Sequence, residues 1–270
     1  MPRWLRWAWL PPAAFLAVFL AYPLASLGVT VASGEGAQAA VDRLASATLW
    51  QVTALAVLQA LASTLLALAV GLPLANVVSR YRYRGRALAQ ALVTVPFVLP
   101  TVVVALAFRS LLGDGVPQGF ALVVLAHAYV NLAVVARIVG AQWSQHDSGY
   151  ENVARTLGAT RWRAFVDVTL PSLRPAIVSS AAVVFVFSFT SLGIVLLLGD
   201  SSTRTLESQI LRQTSVLLDF PGAAATALVQ LALVTAVLLA GAAAGRRSAA
   251  RTMRPARLLP MPAGRVPRLA

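Results

Sequence analysis

Residues Tyr150–Pro171 read YENVARTLGATRWRAFVDVTLP, the one long polar, helix-forming segment set between strongly apolar runs. Glu151, Arg155, Arg161, Arg163 and Asp167 carry its charge, Gly158 stands in its middle and Pro171 closes it. A glycine there lets the chain turn between two short helices, and a proline cannot extend the second. The spacing therefore predicts helix, turn, helix, stop. The flanks are apolar over stretches far longer than the core of a soluble domain requires.

Of 270 residues, 59% are hydrophobic and 11% charged, a balance that leaves a soluble domain too little polar surface to cover itself. Six apolar runs are long enough to cross a hydrocarbon core of about 30 Å, which takes about 20 helical residues. They lie near Trp9–Val31, Leu49–Val78, Leu88–Leu112, Phe120–Ala141, Ala176–Leu198 and Pro221–Ala244. The first begins like a signal peptide but lacks a small-residue cleavage site, and reads as a retained helix. The second carries Gly71 and Pro73 and is longer than a span needs, which predicts tilt or a kink. Pro96 and Pro100 predict a kink in the third.

Charge orients these runs. All 22 basic residues are arginine, and 18 of them fall on the side that holds the Tyr150–Pro171 loop. Six of the nine acids fall on the other. Cationic loops stay cytoplasmic, so both termini and the loop are expected inside. The same bias removes the force of a nucleic-acid reading of the +13 net charge, because membrane insertion alone produces it. Outside, Leu206, Ile210 and Leu217 recur at helical spacing beside Glu207, Gln209 and Arg212, which predicts an amphipathic surface helix. The expected organisation is one transmembrane domain over 1–244, with its loop at 145–171, and a basic disordered tail over 245–270.

Chemistry is sparse. There is no cysteine, two histidines form no ligand cluster, and no GxxxxGK[ST] phosphate loop is present, so neither a metal nor a cofactor nor intrinsic ATPase activity is expected. Asp147 and Glu151 are four apart, but ion pairing of this stretch to Arg155 is simpler than acid–base catalysis. The polar groups inside the runs are candidates for a pathway: Gln59, His127, Asn131, Ser188, Thr190 and Ser191, with Ser63 and Thr64 beside Gln59. His127 and Asn131 share a helix face. Hydrogen bonding between helices is enough to explain any one of them.

The loop resembles the cytoplasmic EAA loop of binding-protein-dependent ABC importer permeases, whose pattern is Glu-Ala-Ala, three residues, Gly, nine residues, Ile-x-Leu-Pro. Gly158 is followed here by nine residues and then by Val168-Thr169-Leu170-Pro171. Asn152 and Val153 replace the first two motif residues, while Ala154 and the neighbouring Glu151 remain. GLPLANVVSRYRYRGRALAQALVTVPFVLPTVVVAL, LAHAYVNLAVVARIV and FSFTSLGIVLLLGDSSTRTLESQI extend the likeness, most closely to the thiamine and iron(III) permease group. The resemblance implies an all-α polytopic fold of six transmembrane helices in a bacterial cytoplasmic membrane, with the coupling loop between the fourth and fifth. By motif position, Glu151, Asn152, Val153, Ala154 and Gly158 would face a separate pair of ATP-binding subunits, with Leu170 and Pro171 ending the lever. A second permease subunit and an extracytoplasmic solute-binding protein would complete the importer. Two readings compete with it: a hairpin lying on head groups through Trp162 and Phe165, and a non-transport anchor that recruits a soluble partner.

Overall fold

The computed structural model describes residues 9–252 apart from 33, 82, 114, 146 and 147. Its described residues form helices joined by short turns and loops, with no strand among them. We number the helices α1 (Leu10–Ala32), α2 (Gly34–Ala45), α3 (Ala47–Arg80), α4 (Arg86–Val98), α5 (Thr101–Leu112), α6 (Phe120–Ser144), α7 (Ser148–Thr156), α8 (Arg161–Phe189), α9 (Leu192–Leu198), α10 (Leu206–Ser215) and α11 (Phe220–Thr252). Five of these, α1, α3, α6, α8 and α11, are long and apolar enough to cross a membrane, and the bent pair α4–α5 makes a sixth.

The centre of the bundle is the crossing of α3 with α6, against which α8 packs. Sequence explains why α3 takes that place. Ala56, Ala60, Ser63, Ala67, Gly71 and Ala75 recur every three or four positions and are all buried, so one stripe of small side chains lets neighbouring backbones come close. At Gly71 the approach is closest: an added Cβ would lie 2.8 Å from both Cβ and Cγ1 of Val135 on α6. We expect Gly71→Val to cost about 1–3 kcal/mol of overpacking, lowering the melting midpoint in detergent. Gly28→Val, where nothing lies within 4 Å, should leave it unchanged. Equal midpoints for the two variants would contradict this packing.

Pro73 is accommodated inside α3, which runs unbroken for 34 residues. At 1.5 Å per residue that is about 51 Å, well beyond a hydrocarbon core of about 30 Å. Its start is set by Ser46, whose hydroxyl accepts from the Leu49 amide at 3.4 Å. At that same end of the bundle Arg43 pairs with Asp219 at 2.7 Å, and Asp219 also accepts the Gly222 amide to open α11. α10 begins with a reciprocal cap between Thr205 and Ser208, and α2 is the short helix that precedes α3. Nearby, the hydroxyls of Thr203 and Ser202 hold the Asp200 carboxyl down to a pKa of about 2.

Three features depart from the sequence reading. The third apolar run is no kinked rod: α4 and α5 meet at 105° across Leu99–Pro100. Proline disfavours the helical conformation at the residue before it, and Leu99 is extended, with φ −68° and ψ 140°. The fifth run also breaks, at Thr190–Ser191, so that α9 leaves α8 and packs on α5 and α6 through Ile194, Val195 and Leu198. Pro171, read as a stop, lies inside α8. A π turn over Phe165–Thr169 precedes it, in which the Leu170 amide bonds to the Phe165 carbonyl, so the hydrogen-bond ladder is already shifted where the proline has no N–H to give. At the other terminus α11 continues past Ala244 to Thr252; residues 253–270, the rest of the expected tail, lie outside the described residues.

Candidate functional site

The loop of Tyr150–Pro171 forms an elbow. α7 ends in a Schellman motif: the Gly158 amide donates to the Arg155 carbonyl and the Ala159 amide to the Ala154 carbonyl, each at 3.0 Å. Gly158 has φ +93°, a left-handed conformation that a Cβ disfavours. Thr160 then caps α8, its hydroxyl accepting the Arg163 amide at 3.2 Å. The chain thus reverses over four residues between two capped helices.

Glu151 is turned back toward the bundle. Where the spacing of four had suggested Arg155, the carboxylate reaches Arg80 at the end of α3, at 2.5 Å, and accepts the Thr169 hydroxyl from the π turn of α8. One carboxylate therefore ties α7 to both α3 and α8. Asn152, Val153 and Gly158 are exposed, Ala154 is partly so, and Leu170 and Pro171 are half-buried along α8 rather than at its end. The tip adds two residues absent from the motif positions: Leu157, 83% exposed, and Trp162, 73% exposed. With Val153 they place three apolar side chains on the outside of the elbow; the sequence reading names Val153 by motif position and Trp162 as a head-group anchor, and passes over Leu157.

A second constellation lies inside the bundle. Gln59 of α3, His127 and Asn131 of α6 and Ser188 of α8 are each at most 2% exposed and joined in a chain. Gln59 Nε2 contacts Ser63 Oγ at 2.9 Å and His127 Nδ1 at 2.7 Å, while Asn131 Nδ2 donates to the His127 carbonyl at 2.9 Å and to Ser188 Oγ at 3.3 Å. His127 and Asn131, together with Thr190 and Ser191 at the break of α8, line a cavity of about 360 Å³. Gln59 and Ser188 stand behind it as supports. Phe97, Leu99 and Thr101, from the break between α4 and α5, complete the wall. Sequence reading missed these three because it treated the α4–α5 run as one span, although Pro100 marked the place. Four side-chain atoms in this region have no hydrogen-bond partner: Gln59 Oε1, His127 Nε2, Asn131 Oδ1 and Ser191 Oγ. A separate cavity of about 400 Å³ lies on the α4–α6 seam toward the elbow end, with Arg86, Gln90, Thr94 and Arg137 in its wall.

Comparison with known proteins agrees with this architecture. Residues 67–249 match the family described as binding-protein-dependent transport system inner membrane component. The sulfate transport system permease protein CysT of Escherichia coli (strain K12) is 33% identical over 182 residues, covering 63% of this chain and 66% of that protein. The molybdenum transport system permease protein ModB of Mycobacterium tuberculosis (strain ATCC 25618 / H37Rv) is 32% identical over 257 residues, covering 88% and 94%. The thiamine transport system permease protein ThiP of Brucella abortus (strain 2308) is 30% identical, and the match covers 87% of this chain but 46% of that protein. Among solved structures, a bacterial ABC transporter involved in alginate import superimposes with a TM-score of 0.70 at 18% identity, over 90% of this chain and 96% of the other. With its loop between α6 and α8 and its apolar spans, the chain belongs to the inner-membrane permease components of binding-protein-dependent ABC transporters.

Proposed function

We propose that this chain is one permease subunit of an ABC importer, forming half of a translocation pathway and coupling to a separate pair of ATP-binding subunits through α7 and the Gly158 elbow. The observation that carries this reading is the elbow itself. Its apolar tip, Val153, Leu157 and Trp162, is exposed while Glu151 anchors it to α3 and α8. A partner that grips the tip and moves it pulls on two spanning helices at once. Arginine placement supports a cytoplasmic position for the elbow and for both termini, in a bacterial cytoplasmic membrane. A second subunit, a copy or a paralogue, would face the α4–α6 seam with its two cavities. An extracytoplasmic solute-binding protein would deliver cargo at the end bearing α2 and α10. The domain reading follows: 1–244 as the permease unit and the remainder as an accessory basic segment.

For cargo, the resemblance noted from sequence points to thiamine or ferric iron, and the relatives widen the choice to sulfate and molybdate. We favour a tetrahedral oxyanion, because the molybdenum permease matches over nearly its whole length and no carboxylate lines either cavity to receive a cation. The test is uptake into vesicles holding the chain with its ATP-binding subunits and binding protein. ATP-driven accumulation of labelled sulfate or molybdate is expected. Accumulation of thiamine or iron alone would change the cargo assignment. The competing anchor reading would show in purification without an ATP-binding subunit and in no ATP-driven uptake of any of the four.

A further inference from the structure

We infer that the groove between α6, α8 and α11, at the elbow end of the bundle, is a seat for an acidic phospholipid whose phosphate is taken by Arg246 and by the amides of Gln142 and Gln145. The inference goes beyond the importer reading and needs only that the chain spans a bilayer. Helix packing makes the groove. α8 lies against both α6 and α11, whereas those two scarcely touch each other, so they stand apart as walls with Pro175 and Ala176 between them. Two glycines hold α11 to α8: an added Cβ would lie 2.6 Å from Cβ of Ala182 at Gly241, and 3.3 Å from Oγ of Ser179 at Gly245. The space left beside this contact is a cavity of about 450 Å³.

Depth and charge decide what fits it. From Phe220 to Arg246 α11 runs 27 residues, about 40 Å at 1.5 Å per residue, against a hydrocarbon core of about 30 Å. Arg246 therefore stands at head-group level, as do Gln142 and Gln145 at the end of α6. Further into the bundle the walls turn apolar, with Ile138 on α6 and Ala242 on α11. A polar mouth and an apolar bed along one axis match the two parts of a lipid better than a free ion. Arg246 is exposed and has no carboxylate partner among the described residues, and no acid lines the groove. Its planar guanidinium carries paired N–H donors that match two oxygens of a phosphate, and basic pockets between spanning helices are where anionic head groups bind. The chain's own tail does not suit the groove, since residues 245–270 hold seven arginines and no acid. A second copy would bring the same arginine-rich end against it.

The chain contains no cysteine, so Ala242→Cys carrying a bimane fluorophore reports from the groove alone. Ile138→Cys on the facing wall gives a second position should a label at 242 fill the space. Val77→Cys, at a position 48% exposed near the same end of α3, reports from another face. The full chain is placed in nanodiscs of phosphatidylcholine that contain a minor, equal fraction of brominated phosphatidylglycerol or of brominated phosphatidylcholine. In the groove we expect brominated phosphatidylglycerol to quench about fivefold more strongly than brominated phosphatidylcholine, and at Val77→Cys the two to agree within about twofold. Adding Arg246→Gln, a change at an exposed position, should bring the ratio in the groove below about twofold. Millimolar inorganic phosphate should leave the ratio unchanged. No preference at either groove position, an equal preference at Val77→Cys, or a preference undiminished by Arg246→Gln would each overturn the site. Quenching by neither lipid would show protein in the groove and overturn it as well. Loss of the preference on adding inorganic phosphate would give the groove to a free anion instead of a lipid.

Discussion

Replacing Gly158 with proline is expected to leave the chain inserted in the membrane and to abolish ATP-driven uptake. Nothing lies within 4 Å of an added Cβ at this position, so the effect is one of backbone and not of crowding. Gly158 has φ +93°, and proline is held near −65°. The substitution also deletes the amide that donates to the Arg155 carbonyl. A penalty of about 3 kcal/mol or more would lower the population of the elbow by more than about a hundredfold. Gly158→Ala, which retains the amide but strains the left-handed conformation by about 1–2 kcal/mol, should give an intermediate loss. Uptake by Gly158→Pro within about twofold of the unmodified chain would contradict the hinge, since a twofold change corresponds to only about 0.4 kcal/mol.

The second large effect is expected at the anchor between Glu151 and Arg80. The pair is partly buried, with side-chain exposures of 16% for Glu151 and 28% for Arg80, and the Thr169 hydroxyl adds a third element to it. Removing one partner from a buried pair costs about 3–5 kcal/mol. Because Arg80 reaches solvent, about 1–3 kcal/mol is the better expectation here. Glu151→Ala and Arg80→Ala should each reduce uptake about tenfold or more while α7 still binds its partner, because neither changes the apolar tip. Exchanging the two charges, Arg80→Glu with Glu151→Arg, should recover part of the loss. A cycle in which the single effects simply add would show that the pair does not act as a unit.

How much of this was legible differs from element to element. Six apolar runs and the hinge at Gly158 could be read directly, since span length and a glycine between two charged amphipathic stretches are local properties. His127 and Asn131 stood out as polar residues on one face of an apolar run, and they do meet in the interior. The breaks were harder. Pro100 marked one, but Thr190–Ser191 carries neither glycine nor proline, and its cause is tertiary: α9 turns aside to pack against α5 through Gly193. Pro171 misled because a stop is its usual consequence, whereas a π turn just before it lets α8 continue. The anchor of Glu151 on Arg80 joins residues 71 positions apart, and no spacing rule reaches that far.

The elbow as the grip of an external motor is the claim on which the rest depends, and Leu157 tests it most directly. It is 83% exposed at the tip, in a chain without cysteine. With Leu157→Cys in the assembled complex, a short bifunctional thiol reagent should join this subunit to a nucleotide-hydrolysing partner, at a rate that changes when ATP is added. Reaction of that thiol with a membrane-impermeant reagent applied outside intact cells, or persistent failure to join any ATP-hydrolysing subunit, would contradict the account.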